Sequence, residues 1–249
     1  MRNIGTALLL MGLIHAAGPC PAQDKIVTSR GETIEGKIVK LTPSGAPVVR
    51  MANGIETAVP KESIRYPILM QPPPGLDEAR KALAAEHYPQ VMAAIEKDVQ
   101  AFAGLQVDWV IEALGLVADA YLATGKKSEA GAIYRKMETD YADSPYAVKA
   151  KIGLAKISVS VNRLPEAEAA LRPILENAAK QLAPPPAEQR VYADAAFVMG
   201  QLEEARGNKQ EALENYMRVV TLYPLSPSLT AQAEARVKAL REDKTVFVR

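Results

Sequence analysis

Apolar residues recur every three or four positions through most of the chain. That spacing places them on one face of an α-helix, so each such stretch predicts an amphipathic helix with a buried face. The clearest stripes are Val110, Leu114, Val117, Ala118 and Tyr121, followed by Ala130, Ile133, Tyr134, Met137 and Tyr141. Similar stripes continue to Leu240. We therefore expect residues 76–242 to form a mainly helical domain, followed by a short tail at 243–249.

A different pattern precedes the helices. Between Lys25 and Tyr66, β-branched residues alternate with polar ones, which predicts four or five short strands over residues 24–67. Residues 34–41 have the spacing of a single bent strand. Glycine-containing pairs mark three turns: Arg30-Gly31, Ser44-Gly45 and Asn53-Gly54. The last pair is a typical signal for a two-residue hairpin.

The segment from Gln71 to Gly75 contains three consecutive prolines between the two regions. Because proline runs favour the extended polyproline II form, we expect residues 68–75 to be a stiff linker and a domain boundary. A β module of this length buries little core by itself. We therefore expect it to dock on the first helices, to pair through a strand edge, or to bind a partner by strand addition.

The helical region contains an internal repeat. The phrase Gly-x3-Glu-Ala-x3-Tyr occurs at residues 125–134 and again at 207–216. A weaker copy begins at Asn162, and a fainter one lies around Val91. In each strong copy the small Ala allows two helices to approach closely, and the Tyr four positions later fills the groove beside it. The proline-rich residues 183–187 lengthen the spacing before the last copy.

This phrase and its spacing resemble the tetratricopeptide repeat, whose two-helix units stack into an α-solenoid. The resemblance implies about four helical hairpins and a capping helix, preceded here by a small β-barrel-like module. Residues 59–64 resemble the turn before the last strand of Sm-like and SH3-like barrels. Over residues 105–242, the junctions at 141–150 and 223–227 resemble those of periplasmic tetratricopeptide adaptors of the barrel-assembly and Tol-Pal type.

In tetratricopeptide proteins the first helix of each hairpin lines the surface that binds other chains. The resemblance therefore implies a partner-binding groove formed by Glu112, Asp119, Lys149, Ile152, Lys156, Asp194, Phe197 and Gln201. Within it, Lys149, Ile152 and Lys156 would form a basic and apolar strip. The alternative interpretation is an ordinary mixed surface that binds nothing.

Residues 1–22 have the order of a signal peptide: a positive start, the apolar stretch Ile4–Ile14, and a small residue, Ala22. The apolar stretch is short for a membrane-spanning helix, so we expect cleavage after Ala22. A lipoprotein signal has a small residue before the acylated cysteine, whereas Pro19 precedes Cys20. We therefore expect an exported protein of the periplasm or cell envelope, without a lipid anchor.

The composition leaves few residues for catalysis. The chain has one Cys and two His, and loss of the signal would leave only His87 among them. Thiol nucleophiles, His-containing metal sites and Ser-His-Asp triads need more than this, so we expect no metal, cofactor or catalytic residue. Carboxylate pairs such as Glu203-Glu204 and Glu166-Glu168 could serve a glycosidase, although neighbouring acids on a helix usually form a solvated face.

The formal net charge of +1 provides no basic surplus for nucleic acid. These features together predict a non-enzymatic scaffold that binds protein or peptide partners in envelope assembly or maintenance, in contact with outer-membrane or other envelope complexes. A self-assembling structural protein that oligomerises through the β module is the alternative. A carboxylate-based glycan hydrolase or glycan-binding protein is the third hypothesis.

Export predicts that the mature protein begins at Gln23. Mass spectrometry of the N-terminal peptide from the envelope fraction measures this directly. Replacing Leu9 with Arg interrupts the apolar stretch, so the variant should keep residues 1–22 and stay in the cytoplasm. An intact Met1 on the envelope protein would contradict the prediction.

Overall fold

The structure is a computed structural model that describes residues 23–242. The expected signal peptide and C-terminal tail lie outside these residues. The first part of the described chain forms five strands: β1 Asp24–Thr28, β2 Thr33–Leu41, β3 Pro47–Arg50, β4 Glu56–Ala58 and β5 Ile64–Leu69. Nine helices follow in this part of the chain: α1 Gly75–Ala84, α2 Tyr88–Phe102, α3 Asp108–Ala123, α4 Lys127–Asp140, α5 Tyr146–Ser160, α6 Leu164–Ala179, α7 Pro186–Arg206, α8 Lys209–Leu222 and α9 Pro227–Glu242. The described chain is mainly helical with a small N-terminal sheet, as the sequence predicts.

The five strands form one antiparallel sheet in the order β4-β3-β2-β1-β5. The first half of β2 pairs with β1, and its second half pairs with β3. Gly36 lies where the pairing changes, and a Cβ atom there would be 2.5 Å from the carbonyl oxygen of Arg50. One strand therefore spans these residues, as predicted, and its pairing register shifts between Ile38 and Lys40. A 3-10 turn at Lys61–Ser63 leads into β5, where the sequence predicts a turn.

The three hairpin turns of the sheet share one geometry. In the first, the Thr28 N–H donates to the Glu32 carbonyl oxygen, and the Gly31 N–H donates to the Thr28 carbonyl oxygen. The same two bonds close the loops that end at Gly45 and Gly54. The φ angles of the three glycines lie between 79° and 83°, a left-handed conformation that glycine adopts without steric cost. Each loop has three residues, so the two-residue hairpin expected at the last turn is wrong: a left-handed glycine also ends three-residue loops.

The sheet packs directly on the first helices. Ile26 and Ile38 belong to the same buried cluster as apolar residues of α1 to α5. The buried Asp24 carboxylate accepts the N–H groups of Ile38 and Gln71 at 2.8 and 2.9 Å, which fastens the proline-rich segment to the sheet. Of the three alternatives for the β module, the structure shows docking on the helices. Residues 68–75 thus connect two parts of one core and do not act as a free spacer.

The four helical hairpins turn in the same way. One residue in each connection has a left-handed backbone with φ between 59° and 84°: Glu86, Gly125, Asn162 and Gly207. The N–H of the next residue donates to the carbonyl oxygen five positions earlier, as from Lys126 to Tyr121 at 2.9 Å and from Asn208 to Glu203 at 2.8 Å. This arrangement satisfies carbonyl groups that a helix end would otherwise leave unpaired. The turn at Glu86 precedes Val91 by the same five residues that separate Gly125 from Ala130, so the faintest predicted copy has the same turn.

The odd-numbered helices form one layer. Contacts join α1 to α3, α3 to α5, α5 to α7 and α7 to α9, and each even-numbered helix packs on its two neighbours in the sequence. α7 begins at Pro186, within the predicted insertion, and is therefore longer than the other helices. The first helix of every hairpin contributes to a continuous face.

The small and bulky residues of the repeat phrase occupy the helix contacts, and all are fully buried: Ala130, Ala167 and Ala212, with Tyr134, Leu171 and Tyr216. The Tyr134 ring fills a notch on α5, where Gly153 has no side chain and a Cβ atom would overlap the ring. The Tyr216 ring packs in a similar way on Gly200 of α7. The rings therefore require glycine on the facing helix.

Replacing Gly153 with Ala should lower the free energy of unfolding by about 1 to 3 kcal/mol, because the new methyl group overlaps the buried Tyr134 ring. Gly115→Ala on α3 is the matched control. Its methyl group would meet neighbouring atoms only at 3.6 Å or beyond, so the helix should gain up to about 1 kcal/mol from better propensity. Chemical denaturation measures both values, and equal effects of the two substitutions would contradict the notch.

Candidate functional site

The structure brings most of the predicted groove residues together on the layer of odd-numbered helices. We call this surface the first-helix face and define it by six side chains: Glu112 and Asp119 on α3, Lys149 and Lys156 on α5, and Asp194 and Gln201 on α7. Gln201 is exposed, and the other five are half-buried. The surface therefore presents charged and amide groups, drawn from three successive hairpins.

Ile152 and Phe197 lie beneath this face. Ile152 is 2 % exposed and Phe197 is 8 % exposed. The Phe197 ring packs against the Tyr216 ring at a centroid distance of 5.3 Å. The strip expected from Lys149, Ile152 and Lys156 thus lacks its apolar member at the surface. Both apolar side chains support the face from the core.

Charged side chains pair between neighbouring odd-numbered helices, and every charged member of the first-helix face takes part. Among the described residues, each step of the layer has at least one ion pair: Arg80–Glu112 at 2.6 Å, Asp119–Lys149 at 2.8 Å, Lys156–Asp194 at 3.8 Å and Glu204–Arg236 at 2.6 Å. Each pair joins one hairpin to the next. Most of the charged side chains predicted to bind a partner are therefore already paired with an opposite charge of this chain.

Asp119 has partners on two other helices. One of its carboxylate oxygens accepts the Tyr134 hydroxyl at 2.5 Å, and the other accepts Lys149 Nζ at 2.8 Å. Burial alone would raise the pKa of Asp119, but the charges of Lys149 and Lys156 and the two hydrogen bonds outweigh burial and hold the pKa below its usual value. Burial alone would lower the pKa of Lys149, and the Asp119 charge raises it instead. Three helices meet at this ion pair.

The step between α5 and α7 is the loosest. Lys156 Nζ lies 3.8 Å from the nearest Asp194 oxygen, and each side chain is 36 % exposed. Solvent competes for both groups at this exposure, so the pair contributes little to stability. Gln201 on α7 is exposed as well. On this part of the first-helix face, a bound protein could therefore replace the weak Lys156–Asp194 ion pair with contacts of its own.

Sequence reasoning did not include Arg80, Glu204 and Arg236 in the groove, although they complete the outer steps of the layer. Glu204 was considered only as one of a pair of carboxylates. The two residues of each ion pair lie 32 positions apart, close to the spacing of about 34 that the tetratricopeptide resemblance predicts. Opposite charges separated by one period on first helices were the available signal. Many other pairs of opposite charges on these helices have a similar spacing, so the spacing alone does not identify the residues that form ion pairs.

The carboxylates considered for catalysis are held in ion pairs. Two hydrogen bonds, first from Arg206 and then from Arg172, lower the pKa of Glu168. Glu166 lies 3.9 Å from Arg163, and the Glu204 carboxylate binds a guanidinium group of α9. A glycosidase needs one carboxyl group with a raised pKa as general acid, and Glu168 is shifted in the opposite direction.

His87 is exposed at the start of α2. Within residues 23–242, no three His, Cys, Asp or Glu side chains gather in the way that a metal ion requires. The helices of the same range also include none with the length and hydrophobicity of a membrane span.

At pH 7, Asp119→Asn should lower the free energy of unfolding by about 1 to 3 kcal/mol, because it weakens hydrogen bonds to a charged group. The depressed pKa of Asp119 gives stability that is present above the unfolded pKa of about 3.9 and is lost as the pH falls through the lower folded value. The variant should therefore lose less stability than the parent between pH 7 and pH 3. Chemical denaturation at both pH values measures this, with the exposed Asp143→Asn as control, and equal losses would contradict the assignment.

Comparison of the chain with protein-family models, with curated proteins and with solved structures finds no match.

Proposed function

We propose that this chain is an exported tetratricopeptide-type scaffold that binds protein partners in the bacterial cell envelope and catalyses no reaction. One observation carries the proposal: the four helical hairpins share one left-handed turn and one set of closing hydrogen bonds. Equivalent hairpins stack into a solenoid, because each hairpin can bury its apolar face only against the next. A solenoid presents the same face of successive repeats to a partner.

The layer of odd-numbered helices supports this function. The first helices lie side by side from α1 to α9, so side chains of separate hairpins reach one surface. A long peptide laid across this face would meet Glu112 near one end and Gln201 nearer the other. Such surfaces bind through several small contributions, not through one deep pocket. The paired charges leave the region between α5 and α7 as the primary contact region for the partner.

The β module fits the same proposal as a small SH3-like barrel that closes the first end of the solenoid. The five-stranded antiparallel sheet and the 3-10 turn before β5 support this part of the proposal. The sheet covers apolar residues of the first hairpins, which a terminal repeat must shield from water.

Self-assembly is a second candidate because β5 is an edge strand of the sheet. Tyr66 and Leu69 on this strand are exposed, and exposed edge strands can pair with another chain. Light scattering of the mature protein separates the two functions. A monomer at working concentration would favour the scaffold, and a dimer that Leu69→Lys returns to monomer would favour self-assembly through β5.

A photoreactive amino acid at Gln201 tests the scaffold in the producing cells. We expect a crosslink to a protein partner, and Lys156→Glu should reduce the yield about tenfold because it reverses one of the least constrained charges on the face. The melting temperature of Lys156→Glu is measured alongside, because the new carboxylate would lie near Asp194 and Asp119. Lys156→Gln, which only removes the charge, should reduce the yield in the same direction with little change in melting temperature. The same photoreactive group at the exposed Glu176 of α6 is the control. An absence of any protein adduct at the first-helix face would exclude this surface.

A further inference from the structure

The hairpin turn between β3 and β4 contains the only Asn-Gly pair of the chain, Asn53-Gly54. Both residues are exposed. A Cβ atom placed on Gly54 would meet no atom of the described chain within 4 Å, apart from its chain neighbours. Gly54 also has no side chain of its own to cover its backbone nitrogen. This part of the loop therefore lies in open space.

The Asn53 side chain takes part in closing this turn. In the other two hairpin turns, the N–H of Glu32 or Ala46 donates to the hydroxyl oxygen of a threonine four positions earlier. In the third turn, the equivalent N–H of Ile55 donates to Asn53 Oδ1 at 3.0 Å. This hydrogen bond closes a small ring of atoms that includes both the Cγ of Asn53 and the backbone nitrogen of Gly54. The turn thus keeps these two atoms close together.

The same two atoms are the reactants of succinimide formation. The backbone nitrogen of Gly54 attacks the Cγ of Asn53, and a C–N bond forms between them. The carboxamide nitrogen leaves as ammonia and carries away the proton that the Gly54 nitrogen loses. Water then opens the five-membered ring at either of its two carbonyl groups, which gives aspartate or isoaspartate. The reaction needs only water.

Two hydrogen bonds affect this reaction in opposite directions. The Ile55 N–H points at Asn53 Oδ1, where negative charge develops during the attack, and a donor at that position stabilises the charge. The Gly54 N–H donates to the Met51 carbonyl oxygen at 2.9 Å, and this bond must open before the nitrogen can attack. Exposed loops open at little cost in free energy. The second hydrogen bond therefore slows the reaction without preventing it.

Asn162 provides a comparison within the chain. It is also exposed and also occupies a turn, with a φ of 62°. The next residue, Arg163, has a side chain beside its backbone nitrogen, and its N–H donates to the Ser158 carbonyl oxygen at 2.8 Å. The other asparagines of the described chain lie in or beside α6 and α8, and each precedes a residue with a side chain. Asn53 should therefore react first.

The isoaspartate product changes the hairpin. It adds one carbon atom to the main chain, so the hydrogen bonds that close the three-residue loop no longer fit. β4 has three residues, and all are exposed. The ion pairs of Glu56 with Arg50 and Lys40 also lie at the surface and hold β4 weakly. Loss of the turn therefore releases β4, and β3 becomes the edge strand of the sheet.

We propose that Asn53-Gly54 is a self-modification site, at which Asn53 converts through a succinimide to aspartate or isoaspartate, and that the isoaspartate form releases β4 from β3. The conversion depends on time, temperature and pH. It requires no partner and is independent of the proposed scaffold function.

Incubation of the purified chain at pH 6 and pH 8, followed by peptide mapping with mass spectrometry, tests the site. Conversion at Asn53 should be faster at pH 8, because the attacking nitrogen must lose its proton. It should also be roughly tenfold or more faster than at Asn162, because glycine leaves its nitrogen uncovered. Asn53→Gln should abolish the conversion at an unchanged melting temperature, since a longer side chain must close a six-membered ring. No conversion at Asn53, or conversion no faster than at Asn162, overturns the proposal.

Hydrogen exchange of the chromatographically separated isoaspartate form measures the release of β4. Its amides in β4 should lose protection, whereas those of β1 and β2 should keep it. Asn53→Asp is the matched control, because it adds the same charge with a main chain of normal length and keeps an oxygen that accepts the Ile55 N–H. Equal protection of β4 in the isoaspartate form and in Asn53→Asp would overturn the release.

Discussion

The close approach of α4 and α5 around the Tyr134 ring is the constraint on which the helical layers depend. The ring is fully buried because Gly153 leaves room for it, and its hydroxyl reaches Asp119 on α3. One side chain thus fixes three helices from two successive hairpins. The ion pair between Asp119 and Lys149 lies beside this ring. It requires one relative position of α3 and α5, whereas the apolar contacts around the ring are not directional. Packing brings the charges together, and the charges help to select this packing.

The hairpins could be predicted because their signal is local. A turn residue, a small residue five positions later and a bulky one four positions after that specify a hairpin within a short stretch of sequence. The ion pairs could not be predicted in the same way. Each joins residues about one repeat apart, and which charges meet depends on how far each helix is displaced along its neighbour.

The position of a residue in the repeat phrase predicts which helix it belongs to, but it does not predict whether its side chain is exposed. Positions carried over from the tetratricopeptide resemblance fall on odd-numbered helices, and six of the eight side chains lie on one face. The burial of Ile152 and Phe197 depends on the rotation of α5 and α7, which the sequence of one helix does not specify. The hairpin at Gly54 is a similar case, because a left-handed glycine serves both two-residue and three-residue loops.

The division of the core at α5 also bears on how the molecule comes apart. The sheet and α1 to α5 share one buried cluster, and α5 to α9 share another. Where helical hairpins stack on one another, cooperativity weakens at such a division, since only neighbouring hairpins hold the halves together. The two halves would then unfold in separate steps, with α5 as the boundary between them.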